Sequence, residues 1–259
     1  MSLSIDNLHV SYGSHQVLKG LIVTELERGT VTGLLGPNAC GKSTLVKTIA
    51  GIKKADSGTC NIIDADGRLV PRNELRDVIG YVPQDLLTSA SLTAFESIVV
   101  SSRRVRGRRF ARIGQDDSLL QAGIVMERLG IAHLAQRYIS ELSGGQRQLV
   151  AVAQMLVREP EVLLLDEPTS ALDLRHQVEL LQLVRSEVKK NNSLALVAIH
   201  DLNLAARYCD NVLVLKDGLT YSQGGPGQVL TPDILFEVYG FRARVIDDEG
   251  TPVVCPVNS

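Results

Sequence analysis

The chain contains no Trp, and its other aromatics are six Tyr and four Phe in 259 residues. That leaves little material for a platform on which nucleic-acid bases stack. An excess of one charge is also missing: 27 Lys and Arg stand against 29 Asp and Glu, a net charge of −2. A strongly cationic nucleic-acid binder is therefore not the default reading, although local patches are compatible with that balance. No apolar run approaches the roughly 18 residues that span a bilayer. Met1 to Val10 includes Asp6 and lacks the cationic-then-apolar order of a secretory signal, so none is expected. The four cysteines, Cys40, Cys60, Cys209 and Cys255, lie far apart with no C-x-x-C. That spacing argues against a zinc site and a disulfide framework, and points to a reducing, cytosolic compartment. Repeats and low-complexity tracts are absent as well.

What is present is ordinary globular composition, 44% hydrophobic and 22% charged. The length suits one large α/β domain or two small ones and easily buries a core. The first third reads as strands and turns. Val17 to Val23 is rich in apolar and β-branched residues, and Glu27-Arg28-Gly29 turns the chain. Val31 to Leu35 predicts a short buried strand that meets the breakers Gly36-Pro37-Asn38. Ser43 to Ala50 has helical character and stops at Gly51, and Ile79 to Val82 predicts a strand ended by Pro83. From Thr93 to about Arg158 the pattern is mostly helical. There Leu149, Val152, Ala153 and Leu156 share one helix face. Apolar strands return at Val162–Leu165, Leu194–Ile199 and Val212–Leu215. Unbroken apolar strands alternating with helices indicate a parallel sheet covered on both faces. The tail from Pro226, with a last apolar piece from Val253 to Val257, reads as an appendage packed on that core.

Two stretches carry chemistry. Gly36-Pro37-Asn38-Ala39-Cys40-Gly41-Lys42-Ser43 fits G-x-x-x-x-G-K-[ST], between a strand and a helix as that pattern requires. A tight loop there turns successive N–H groups inward at a helix N-terminus and makes a nest for an anion. Lys42 adds a charge near the β- and γ-phosphates, and Ser43 offers a hydroxyl to Mg²⁺. If Ala39 needs a positive φ, it carries about 1 kcal/mol of strain. The second stretch, Val162 to Glu167, is an apolar strand ending in two carboxylates. It sets Asp166 at the carboxyl edge of the sheet, suited to Mg²⁺, with Glu167 pointing the other way toward an attacking water.

A further motif narrows the class. Leu142-Ser143-Gly144-Gly145-Gln146 precedes a long amphipathic helix, and Asp166-Glu167-Pro168-Thr169-Ser170 follows it. With these motifs in this order, the chain resembles the nucleotide-binding subunit of an ABC transporter over about residues 3–240. The resemblance implies a single ATP-binding domain over residues 1–259 of α/β class. Its P-loop NTPase (RecA-like) core carries an N-terminal antiparallel β subdomain and an inserted α-helical subdomain. Residues 1–84 and 160–240 would form the core, 85–159 the insertion, and 241–259 the appendage. It further implies ATP as substrate and Mg²⁺ as cofactor. Tyr12 resembles the aromatic that stacks on adenine. Gly36, Pro37, Asn38, Ala39, Cys40, Gly41, Lys42, Ser43 and Thr44 would hold the phosphates. Ser143, Gly144, Gly145 and Gln146 would cap the γ-phosphate of the opposing subunit, and Asp173 would lie in the loop crossing the interface. Glu167, His200, Lys42 and Gln84 are the implied catalytic groups. Ser43, Gln84 and Asp166 are the implied magnesium ligands.

Two copies, head to tail, would then sandwich two ATP. His176 in Leu172–Gln177 and the run His200 to Ala205 are similar to importers of ferric siderophores, haem and cobalamin. So are Gln228 to Thr231 and Phe236 to Gly240. That likeness implies membrane permease subunits as partners, indirectly an external substrate-binding protein, and a peripheral place on the cytoplasmic face of the membrane. No nucleic-acid partner is expected. The alternative is a soluble ABC-type ATPase acting on nucleic acid or ribosomes; one cassette, no sustained heptads and no Cys pair speak against it. Ser101 to Arg112 departs from the pattern, with six Arg and no acid. It reads as a dock for an acidic coupling segment, a contact for anionic headgroups, or a solvated basic loop.

Overall fold

The computed structural model describes residues 1–64, 66–86, 91–102 and 115–257, with the side chains of 115 and 116 excepted. The stretch Arg103 to Arg112 lies outside the described residues. In chain order the first part comprises β1 (Ser2–Tyr12), β2 (His15–Leu26), β3 (Val31–Leu35), α1 (Lys42–Ile49), β4 (Ser57–Ile63), α2 (Leu75–Val78) and β5 (Ile79–Val82). Among the described residues the α-helices that follow are α3 (Ala94–Ser102), α4 (Gln115–Arg128) and α5 (Gly144–Leu156). Then come β6 (Val162–Asp166), α6 (Leu174–Asn191), β7 (Leu194–Ala198), α7 (Leu202–Tyr208), β8 (Asn211–Lys216) and β9 (Leu219–Gly224). The chain closes with α8 (Pro226–Val229), α9 (Pro232–Tyr239), β10 (Ala243–Asp248) and β11 (Thr251–Pro256). None of the described helices is long and apolar enough to cross a membrane.

The described residues form three sheets. β2, β1 and β4 form an antiparallel sheet. The six-stranded sheet runs β5-β6-β7-β3-β8-β9, parallel except for the antiparallel edge strand β9. β10 and β11 form a separate hairpin. This is the expected α/β class with its antiparallel N-terminal sheet.

β6 as far as Leu165 and the whole of β7 are apolar because each face meets a different core. In β6, Leu163 and Leu165 join one hydrophobic cluster while Val162 and Leu164 join the other. β7 divides the same way, with Ala195 and Val197 on one side and Leu194, Leu196 and Ala198 on the other. Side chains alternate across a strand, so a strand covered on both faces cannot alternate polar with apolar. Each fully buried Leu or Val contributes about 1.5–3 kcal/mol. The face of α5 read from the sequence, Leu149, Val152, Ala153 and Leu156, is buried in the first cluster with Ile98 of α3 and Val125 of α4.

The tail holds more order than one apolar piece suggests. β10 pairs with β11, and the amide of Asn203 on α7 bonds both the N–H and the C=O of Val254 at 2.7 and 3.3 Å. β10 escapes the sequence pattern because three of its six residues are charged.

Candidate nucleotide site

β3, β5, β6 and β7 all point their carboxyl ends to one edge, and β3 sits between β7 and β8 although it precedes both. That edge, where the strand order reverses, is the place for a ligand in an open α/β sheet. The Gly36–Gly41 loop leaves β3 there and α1 begins at Lys42. Gly36 has φ 143°, and a Cβ on it would overlap the carbonyl oxygen of Leu215. Ala39 has φ 61°, so the condition for its strain is met. Lys42 is only 5% exposed, and its Nζ donates to the carbonyls of Gly36 at 2.7 Å and Pro37 at 3.1 Å. The ammonium is thus folded back over the loop it would share with a phosphate. Burial pushes the Cys40 thiol above its ordinary range, so this side chain packs rather than reacts.

Asp166 ends β6 with 0% exposure. Its Oδ1 accepts from the Ser43 hydroxyl at 2.9 Å, whereas buried Oδ2 has no hydrogen-bond partner among the described residues. Burial, chiefly, holds this carboxyl above the usual range, and the Ser43 hydrogen bond pulls the other way. An orphaned anionic oxygen beside a hydroxyl is a hard oxygen donor set, which suits Mg²⁺. No group of three or more His, Cys, Asp or Glu among the described residues could hold a metal unaided. Phosphate oxygens and water would have to complete the shell, as is usual for Mg²⁺ on nucleotides.

Glu167 has φ 54°, in the left-handed region, and its carboxylate meets Gln84 and His200 where Asp166 meets Ser43. Gln84, just past β5, donates from Nε2 to Glu167 Oε2 at 2.8 Å. His200, just past β7, places Nε2 2.6 Å from Oε1. A carboxylate only accepts, so that imidazole nitrogen carries hydrogen. The Glu167 side chain is 12% exposed and gripped at both oxygens. A cleft of about 710 Å³ joins this carboxylate to the loop, lined by Asn38, Ala39, Gly41, Lys42, Ser43, Thr44, Gln84, Glu167 and His200. His15 and Val17 of β2 also line it. Sequence reasoning missed both, since only the β1–β2 hairpin carries them there. Tyr12 stands outside the cleft wall, half exposed, with the Lys53 ammonium 4.2 Å from its ring centroid.

The remaining implied residues gather elsewhere. Ser143 caps α5: its hydroxyl accepts from Gln146 N at 3.3 Å, and Gln146 Oε1 accepts from Ser143 N at 3.0 Å. The Gln146 amide is therefore turned back onto the cap. Gly145 lies against the loop before α6, where an added Cβ would sit 2.8 Å from Ala171 O. Asp173 caps α6. None of Ser143, Gly144, Gly145, Gln146 or Asp173 lines the cleft of its own chain.

Residues 21–170 match the ABC transporter family. The ferric enterobactin transport ATP-binding protein FepC of Escherichia coli is 35% identical over 258 residues, covering 97% of this chain and 93% of its own. The iron(3+)-hydroxamate import ATP-binding protein FhuC of Bacillus subtilis is 36% identical over 253 residues, covering 96% and 92%. Among solved structures, the dimeric post-hydrolysis state of the ATP-binding cassette MJ0796, bound to ADP and Pi, superposes with a TM-score of 0.76 at 26% identity, over 86% of this chain and 98% of that one. With the Gly36–Gly41 loop, the acidic strand end and the α5 terminus in place, the chain belongs to the ABC transporter family, as an ATP-binding subunit that hydrolyses ATP.

Proposed function

We propose that this chain is the motor subunit of an importer for ferric siderophores or a related metal chelate, working as a head-to-tail pair beneath membrane permease subunits. Residues 1–84 and 160–240 serve as the nucleotide-binding core, 85–159 carry motion to the permease, and 241–259 brace the core. The observation that carries the ATPase part is the single cleft that places the phosphate loop beside a Glu167 carboxylate held by Gln84 and His200. The relatives named for ferric enterobactin transport and iron(3+)-hydroxamate import support the cargo class, and the pair sits on the cytoplasmic face of the membrane in this reading. A substrate-binding protein outside the membrane delivers that cargo to the permease.

The loop N–H groups and Lys42 grip the phosphates of ATP, and Tyr12 meets the adenine. Ser43, Asp166 and the carbonyl oxygen of Gln84 are the groups that would hold magnesium. When bound, that ion offsets the negative charge of the phosphate oxygens. Glu167 takes a proton from the attacking water, while His200 and Gln84 fix the direction of its carboxylate. Gly144 and Gly145 do not line the cleft of their own chain, and with the Ser143 N–H held by Gln146 their N–H groups are the donors that cap the γ-phosphate of a second copy, where a helix N-terminus favours an anion. ATP thereby closes the pair, and loss of the γ-phosphate reopens it.

Replacing Glu167 with Gln tests this directly. The variant is expected to bind ATP as the parent does, to lose at least about 100-fold in turnover, and to run as a dimer in light scattering with Mg-ATP. Unimpaired turnover would remove Glu167 as the base. A persistent monomer would remove the shared site.

A further inference from the structure

The loop from Glu167 to Asp173 links the two halves of the site within one chain. At its start is the Glu167 carboxylate of the chain's own cleft. Along its length Ala171 lies against Gly145, at the terminus proposed to cap the opposite phosphate. A loop in that place transmits position only if it is stiff, and its hydrogen bonds show where the stiffness comes from.

Inside the loop, Glu167 O accepts from Ser170 N at 3.3 Å and from Ser170 Oγ at 3.0 Å, and Thr169 O accepts from Leu172 N at 3.1 Å. The first turn of α6 adds two side chains. Gln177 Nε2 donates to Thr169 O at 3.1 Å and to Leu172 O at 2.9 Å. Both partners are carbonyl oxygens, so the amide nitrogen must face them. One side chain therefore clips both ends of the Thr169–Leu172 turn. His176 holds the next residue: its backbone N–H donates to Asp173 Oδ1 at 3.0 Å, and its ring Nδ1 lies 2.8 Å from the same oxygen. Those two bonds, chiefly, hold the Asp173 carboxyl below its ordinary range. Facing an ionised carboxylate, Nδ1 carries the hydrogen, and Oδ2 remains for another partner. Neither His176 nor Gln177 lines the nucleotide cleft.

We propose that His176 and Gln177 are positioning residues of this ATPase: they hold the Ser170–Asp173 loop in the shape that meets the second subunit and seats the Gly145 terminus over the opposite nucleotide. The proposal rests on the two-subunit reading above. It gives the pair a distinct kinetic signature. ATP first binds the phosphate loop of a single chain, which neither side chain touches. Closure and turnover need the loop.

The experiment uses the full chain with Gln177→Leu, His176→Phe and His176→Asn, each also in the Glu167→Gln background. Asn retains a donor near the position of Nδ1; Phe keeps the ring and loses the donor. ATP affinity, measured by direct titration of the monomeric chain, is expected to stay within about twofold for all three. Gln177→Leu and His176→Phe are expected to lower kcat about tenfold and to weaken the ATP-dependent Glu167→Gln dimer by a similar factor, the scale of one or two lost hydrogen bonds. His176→Asn is expected to recover most of both. A dimerising parent whose Gln177→Leu and His176→Phe derivatives dimerise and turn over equally well overturns the positioning role alone. Equal impairment of His176→Phe and His176→Asn does the same, because it makes packing the cause. A Glu167→Gln parent that stays monomeric overturns the two-subunit reading and the positioning role together. Should Gln177→Leu fail to fold, the exposed His176 pair decides by the same readouts.

Discussion

At Asp166 stability opposes the metal-holding role proposed for it. The fold buries its carboxylate, pairs one oxygen with Ser43 and leaves the other without a hydrogen bond among the described residues. Its carboxyl sits above the ordinary value of 3.8, so the folded chain binds this proton more tightly than the unfolded chain does. The sign follows: the fold loses stability as pH rises past 3.8, and the loss is complete once pH exceeds the raised value. Asp166→Asn removes the charge and keeps an acceptor for Ser43. In the nucleotide-free chain it is expected to raise Tm at neutral pH, with the gap to wild type closing as pH falls toward 4, while ATPase activity is lost. Thermal melts across that range check it, and a gap independent of pH would refute it. Ala39 is a smaller case of the same kind. An L-residue at φ 61° is strained, and it sits in the loop proposed to present its N–H groups to phosphate.

At the scale of elements, α5 begins with two glycines, each about 1 kcal/mol worse than Ala inside a helix. Close approach explains Gly145, since a Cβ there would press on Ala171 O. The reciprocal bonds between Ser143 and Gln146 offset the weakness by satisfying two free N–H groups at the helix start. Ser143→Ala is therefore expected to cost about 1 kcal/mol even without nucleotide, which lowers Tm by roughly 2–4 °C in a chain of this size. A residue that served only to touch phosphate would leave the nucleotide-free melting temperature unchanged. The α5 terminus was readable because Leu142-Ser143-Gly144-Gly145-Gln146 stands directly before the apolar helix pattern of Leu149, Val152, Ala153 and Leu156. The direction of the Gln146 amide was not, because a side chain's partner depends on what surrounds it.

At the scale of the whole molecule, the six-stranded sheet separates two hydrophobic clusters, and the β10–β11 hairpin is fastened to α7 through Asn203. Asn203→Ala leaves both polar groups of Val254 without their partner. It is expected to cost about 1–3 kcal/mol and to speed amide exchange in β10 and β11 about tenfold or more, with β3, β6 and β7 unchanged. Exchange measured by mass spectrometry would show whether the opening is confined to the hairpin or spreads into the sheet.

The Gly36–Gly41 loop between β3 and α1, the acidic end of β6 and the start of α5 were legible from residue order alone. Each is a short contiguous run whose backbone geometry follows from local sterics and hydrogen bonding. The meeting of Gln84, Glu167 and His200 at one carboxylate was not legible as geometry. Gln84 and Glu167 are 83 positions apart, and they touch because β5, β6 and β7 lie side by side. The same holds for His15 and Val17 in the cleft wall, and for the hairpin on α7. Strand order and helix docking arise from burying two apolar faces at once, a property of the assembled chain that no single segment carries.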